Sequence, residues 1–204
     1  MLRILALLLC LLGGNAHAAG KILVFGDSLS AGYGIAVEQS WPALLQARLA
    51  REKFPQTVVN ASISGETTAG GKSRLGALLK QHRPRLVIIA LGANDGLRGL
   101  PLTQTRENLL AMVRTAKGGG ARVLLVGMQL PPNYGPEYTR NFSSVFSTVA
   151  TQEKTALLPF LLEPIALDDG AFQPDRLHPT AAAQPKILDH VWPALKPLLR
   201  QDKH

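Results

Sequence analysis

Five short apolar runs alternate along the chain with stretches in which apolar residues recur every three to four positions. Lys21 to Phe25 (KILVF) runs directly into a glycine. Thr57 to Ala61 (TVVNA) is weaker, whereas Arg85 to Leu91 (RLVIIAL) and Ala121 to Val126 (ARVLLV) are nearly all apolar. Such runs fit strands covered on both faces, as in a parallel sheet. A fifth run, Thr155 to Phe160, is interrupted by Pro159. Between them, Trp41, Leu44, Leu45 and Leu49 mark a helix with Ser40 as its N-cap and Pro42 in its first turn. Leu75, Leu78 and Leu79 mark a second helix. Leu109, Leu110 and Val113 mark a third, stopped by Gly118-Gly119-Gly120, and Phe142, Val145, Phe146 and Val149 a fourth. A last helix is predicted between Gln184 and Leu199, kinked at Pro193. The alternation predicts an α/β three-layer sandwich with a mostly parallel five-stranded sheet. In such sheets a site lies beyond the carboxyl ends of the strands, near the point where strand order reverses. The places to look are therefore just after Phe25, Ala61, Leu91 and Val126.

The first residues do not fit this alternation. Met1-Leu2-Arg3 leads into an apolar stretch, Ile4 to Leu12, and then Ala16-His17-Ala18. A basic start, a short apolar run and an A-x-A site are the marks of a secretory signal peptide. The run is too short to span a bilayer. The expected organisation is a signal peptide over 1–18 and a single domain over 19–204, periplasmic or secreted. Cys10, the one cysteine of the 204 residues, falls in the leader. The domain would then have neither a disulfide nor a thiol nucleophile, and must be held by its core.

The formal charge is +8, one less without Arg3. Such a surface would suit an anionic membrane, an anionic substrate or plain solubility. No run of Lys or Arg exceeds two residues, and no nucleic-acid partner is expected. Nor does a long heptad pattern mark a coiled-coil seam, so a monomer is expected.

Candidate chemistry sits where the strands end. After the first comes Gly26-Asp27-Ser28-Leu29-Ser30. A serine in a strand-to-helix turn presents its hydroxyl at the open end of a sheet, beside backbone N–H groups able to hold an anion. After the second comes Ser62-Ile63-Ser64-Gly65-Glu66-Thr67, where Gly65 can turn its N–H into a cleft. After the third comes Gly92-Ala93-Asn94-Asp95, which offers a neutral amide donor. Near the C-terminus, Pro174-Asp175-Arg176-Leu177-His178-Pro179 can set a carboxylate beside an imidazole in a single turn. Singly, these blocks read as a polar turn, a turn glycine, an Asn-Asp turn and a capped loop. Their placement at successive strand ends argues for a common purpose. His82, His190 and His204 stand beside charged or terminal positions and read as solvated.

These blocks resemble those of the SGNH (GDSL) hydrolase superfamily, with Ser28, Gly65, Asn94 and His178 as the four matching residues. Asn94-Asp95-Gly96-Leu97-Arg98-Gly99, Leu130-Pro131-Pro132-Asn133-Tyr134-Gly135 and Ala183-Gln184-Pro185 resemble the bacterial periplasmic thioesterase I/protease I/lysophospholipase L group within it. Ala93 and Arg176 depart from the common pattern. The resemblance implies Ser28 as nucleophile, His178 as base and then acid, and Asp175 as the group that orients His178. It also implies an oxyanion hole from the N–H groups of Ser28 and Gly65 and the Asn94 amide. Asp27 is set aside as the acid because it adjoins Ser28; bracing the turn suits it better. Ser30 stands where a G-x-S-x-G elbow needs its second glycine, which argues against the α/β-hydrolase family. No HExxH, CxxC or Walker pattern occurs, so no metal and no cofactor are expected.

The resemblance implies acyl thioesters, lysophospholipids and simple carboxylic esters as substrates. Leu97, Leu100, Pro101, Leu130, Pro131 and Tyr134, in the loops after strands three and four, are candidates for an acyl groove. Two alternatives stand beside this reading. One is a carbohydrate or small-ester deacetylase on the same scaffold, which the 5% aromatic content disfavours. The other is a non-enzymatic flavodoxin-like binding module, which would leave Ser28, Asn94 and His178 without a joint role.

Overall fold

The structure, a computed structural model, describes residues 20–199. The proposed leader therefore lies outside the described residues. Five strands form one parallel sheet: β1 (Lys21–Gly26), β2 (Thr57–Asn60), β3 (Leu86–Ala90), β4 (Arg122–Val126) and β5 (Ala156–Leu158). Their spatial order is β2-β1-β3-β4-β5. Among the described residues seven α-helices accompany them: α1 (Ser28–Ala31), α2 (Trp41–Arg51), α3 (Thr68–His82), α4 (Ala93–Leu97), α5 (Leu102–Gly118), α6 (Pro136–Glu153) and α7 (Gln184–Leu199). Helices α2 and α7 pack together on one side of the sheet, and α3, α5 and α6 on the other. The strand order reverses between β1 and β3, and the crevice of such a sheet opens there.

The continuously apolar runs are the central strands. Ile22 to Phe25 and all of β3 are buried, because helices cover both faces. The weaker run is the edge strand β2, which is half-buried. The strand β5 is shorter than its apolar run and stops before Pro159, whose missing N–H cannot extend the ladder. No helix among the described residues is long and apolar enough to cross a membrane.

Two local expectations need correction. Ser40 occupies the N-cap position of α2, but its hydroxyl donates back to the Val37 carbonyl (2.6 Å). The Trp41 N–H is met instead by Oε1 of buried Gln184 (2.9 Å), which ties α2 to α7 across 143 residues. His190 is not solvated: its Nε2 lies 2.9 Å from the Phe160 carbonyl and 3.4 Å from Glu163 Oε2. Its neighbour Asp189 makes it read as solvated, but the Phe160–Glu163 segment lies against it. Helix α7 continues through both Pro193 and Pro197.

Candidate active site

The turn after β1 is set by Asp27. Its Oδ1 accepts from the Leu29 N–H (3.1 Å), which caps α1 and fixes Ser28 as the first helical residue. Helix α1 is a single turn closed by Gly32, so little macrodipole reaches Ser28; individual N–H groups are what the turn offers. Asp27 is almost completely buried, and its Oδ2 has no hydrogen-bond partner among the described residues. Burial, reinforced by the nearby charges of Asp95 and Glu66, pushes its carboxyl up to about 7.

The Gly65 turn runs from Ile63 to Glu66, with Gly65 at φ +79°, a conformation costly for any residue with a side chain. Two arginines hold it. Arg74 pairs with Glu66, donates to the Ala61 carbonyl (2.7 Å) and covers the Phe25 ring, while Arg98 donates to the Gly65 carbonyl (3.1 Å). The Asn94 Nδ2 donates to the Glu66 carbonyl (3.0 Å), leaving its second hydrogen free for the cleft. Asn94 rides on α4, which is anchored by buried Asp95. The Asp95 carboxylate accepts from the Thr68 N–H (2.9 Å) and from the Thr68 hydroxyl, at the start of α3.

His178 arrives on a narrow loop. Phe172 and Pro179 form an antiparallel bridge at its base, and the Gln173 N–H donates to the His178 carbonyl (2.8 Å). At the tip, Asp175 Oδ1 accepts from the N–H groups of Leu177 (2.9 Å) and His178 (3.0 Å). Its Oδ2 lies 2.7 Å from His178 Nδ1. Those backbone hydrogen bonds, followed by the imidazole, hold the Asp175 carboxyl down to about 2. The other ring nitrogen, Nε2, is 2.9 Å from Ser28 Oγ across 150 residues of chain. Asp27 takes no part in this relay.

Two residues that the sequence reading passed over tie the loop to the serine. The Gln173 side-chain amide donates to the Tyr33 carbonyl (2.8 Å) and the Pro179 carbonyl (3.1 Å). The Tyr33 ring packs on the His178 ring, centroids 4.4 Å apart. Tyr33 closes α1 through its own N–H to the Ser28 carbonyl (3.2 Å). No local pattern announces either contact, because both span about 140 residues.

Ser28, Asn94 and His178 open onto a cleft of about 450 Å³. Of the groove candidates, Leu97, Leu130 and Pro131 line it. Leu100, Pro101 and Tyr134 do not line it. The Leu100 N–H binds the Asp95 carbonyl, Pro101 caps α5, and the Tyr134 hydroxyl donates to the Leu97 carbonyl (3.2 Å). The rest of the apolar wall includes Met128, Phe160, Leu162, Leu167 and Phe172. Four of these follow β5, the strand whose apolar run Pro159 interrupts, so the strand-end rule marks them less clearly. Among the described residues no three His, Cys, Asp or Glu side chains gather into a metal-holding group.

Known proteins are similar to this chain over nearly its whole length. The Esterase TesA of Pseudomonas aeruginosa is 56% identical over 182 residues, 89% of this chain and 90% of that protein. The thioesterase 1/protease 1/lysophospholipase L1 of Escherichia coli is 43% identical over 96% of this chain and 93% of its own length. A crystal structure of TesA superimposes with a TM-score of 0.86 over 87% of this chain and 99% of that one, at 56% identity. A sequence model of the GDSL-like lipase/acylhydrolase family matches residues 24–184, a span that reaches from β1 past the Asp175–His178 loop. On this match and these relatives, the chain belongs to the GDSL-like lipase/acylhydrolase family.

Proposed function

We propose that this chain is a serine hydrolase that cleaves acyl esters and thioesters through an acyl-enzyme on Ser28. The observation that carries the reading is the continuous relay Ser28 Oγ–His178 Nε2 (2.9 Å) and His178 Nδ1–Asp175 Oδ2 (2.7 Å). Asp175 holds the Nδ1 proton in place, which leaves Nε2 as the base facing the serine. His178 takes the Ser28 proton as Oγ attacks the acyl carbonyl. The carbonyl oxygen becomes an oxyanion held by the Ser28 and Gly65 N–H groups and the Asn94 amide. His178 then gives its proton to the leaving alcohol or thiol. Water, activated by the same imidazole, attacks the acyl-enzyme and releases the acid. An ionised Asp175 stabilises the imidazolium in both halves, and its carboxyl stays ionised far into acid.

The relatives' names, esterase and thioesterase/lysophospholipase, support ester, thioester and lysophospholipid substrates. Thiols ionise near a pKa of about 8.5, far below alcohols, so a thioester asks less of His178 as acid. We also propose that Leu97, Leu130 and Pro131 contact the acyl chain, with residues 1–18 as a signal peptide and 19–204 as one exported, monomeric domain. Its basic surface would suit peripheral contact with anionic lipid. The test is hydrolysis of p-nitrophenyl esters from acetyl to palmitoyl by the domain over 19–204, beside Ser28→Ala. Turnover by the wild type alone supports the mechanism, and an optimum above acetyl sets the acyl groove apart from a deacetylase. Equal activity in Ser28→Ala would sink it.

A further inference from the structure

Arg176 stands between Asp175 and His178 at φ +57°. Among the described residues three others that are not glycine have positive φ, Lys53, Arg83 and Lys154. Arg83 and Lys154 end α3 and α6, and Lys53 follows the end of α2, where a left-handed residue is common. Arg176 ends no helix. Its backbone turns left-handed so that the next two N–H groups, of Leu177 and His178, point back at Asp175 Oδ1. Glycine meets that demand without strain, whereas a side chain there costs about 1–2 kcal/mol. The relay needs the turn and has no use for the arginine.

The side chain also has no internal employment. Among the described residues Arg176 makes no ion pair and no side-chain hydrogen bond, and it is exposed. Both Asp175 oxygens are committed to the turn and to the imidazole. Arg176 nevertheless lines the cleft, together with Leu177 and His178. The acyl chain has the apolar wall of Leu97, Leu130 and Phe160 available to it. The leaving group must be the part that meets His178, because that imidazole returns the proton to it. Arg176 lines the cleft two residues from that imidazole, on the stretch of wall nearest to where a leaving group must sit.

We propose that Arg176 recognises an anionic substituent, a phosphate or a carboxylate, carried on the leaving group of the acyl substrate. A guanidinium matches either anion with two parallel N–H donors. The inference rests on the serine-hydrolase reading and names its preferred substrate class. One acidic side chain, Asp169, shares the cleft wall without pairing to Arg176, and it opposes the same anion.

The experiment compares three hexanoyl esters that differ only in the leaving alcohol: glycerol 3-phosphate, glycerate and uncharged glycerol. Arg176→Gly keeps the left-handed turn and removes the charge. It should lose about 10–100-fold in kcat/KM on at least one anionic ester, the scale of a charged hydrogen bond, while the glycerol ester changes less than about twofold. Thermal stability should hold or rise as the strain is relieved. Asp169→Asn should raise activity on the anionic esters, and added salt should narrow the wild-type preference. Equal losses on all three esters would assign Arg176 a purely structural part in the loop. No loss on any would leave it without a role. Either result overturns the proposal while the serine mechanism stands. A wild type inert on all three and on p-nitrophenyl hexanoate would instead overturn the mechanism beneath it.

Discussion

Ser28 stands on a turn whose neighbours are buried, whereas His178 stands on a loop that reaches into water. On the serine side, Gly26, Asp27, Leu29 and Ser30 are all inside, and the turn's shape follows from β1 entering the centre of the sheet. Position is gained there by burial, and the cost is a carboxyl, Asp27, that must stay protonated up to about neutral pH. On the histidine side, Pro174 to Leu177 are exposed. Position comes from hydrogen bonds: two N–H groups on Asp175 Oδ1, a short bridge at Phe172–Pro179, and the Gln173 amide on the Tyr33 carbonyl. One half of the centre is therefore held in place by packing. The other is placed by a few polar contacts, each of which can be removed without opening the core.

The comparison can be broken at several points. His178→Ala should reduce kcat by at least about 10⁴-fold, since serine and base act as one unit; ester turnover at saturating substrate measures it, and a loss under tenfold would separate His178 from the chemistry. Asn94→Ala should cost roughly 10²–10³-fold in kcat with little change in KM, the loss of one oxyanion donor. A rise in KM alone would make Asn94 a binding group. Gln173→Ala should cost less, about tenfold in kcat, because the imidazole loses its registration on Ser28 rather than its chemistry. Urea unfolding should move little in that variant, whose contact lies outside the core; a large drop in stability would place the loop within the folding unit.

The smallest effect on activity, and the sharpest test of the buried side, is Asp27→Asn. An Asn Oδ1 can still cap the Leu29 N–H. The folded pKa of Asp27 is raised from 3.8 to about 7, so the folded state holds the proton more tightly. That contribution is complete below pH 4 and is lost as pH rises towards 7, a slope on the order of a few kcal/mol across the window. Wild-type melting temperature should therefore fall between pH 5 and 8 more steeply than that of Asp27→Asn. Parallel curves would show that burial does not govern Asp27.

The same contrast explains what the sequence disclosed. The central strands were legible because burial on both faces makes them continuously apolar, as in Leu86–Ala90. From those strands the positions of Ser28 and Asn94 followed, since strand ends define the crevice. The Asp175–His178 spacing was equally visible as a local turn. Tertiary ties were not: Gln173 to Tyr33, Gln184 to Trp41 and His190 to Phe160 join residues from 30 to 143 positions apart. The groove was half legible. Leu97, Leu130 and Pro131 face it, but Leu100 and Tyr134 turn their polar groups to neighbouring carbonyls, and the wall after β5 was hidden by Pro159.

The most direct measurement is active-site labelling. A chain spanning residues 19–204 is treated with an equimolar alkyl phosphonofluoridate, then digested and mapped by mass spectrometry. The account predicts one phosphonyl group per chain, on Ser28, with complete loss of ester turnover and much slower labelling in His178→Ala. A label on any other residue, or loss of activity with Ser28 unmodified, would contradict it.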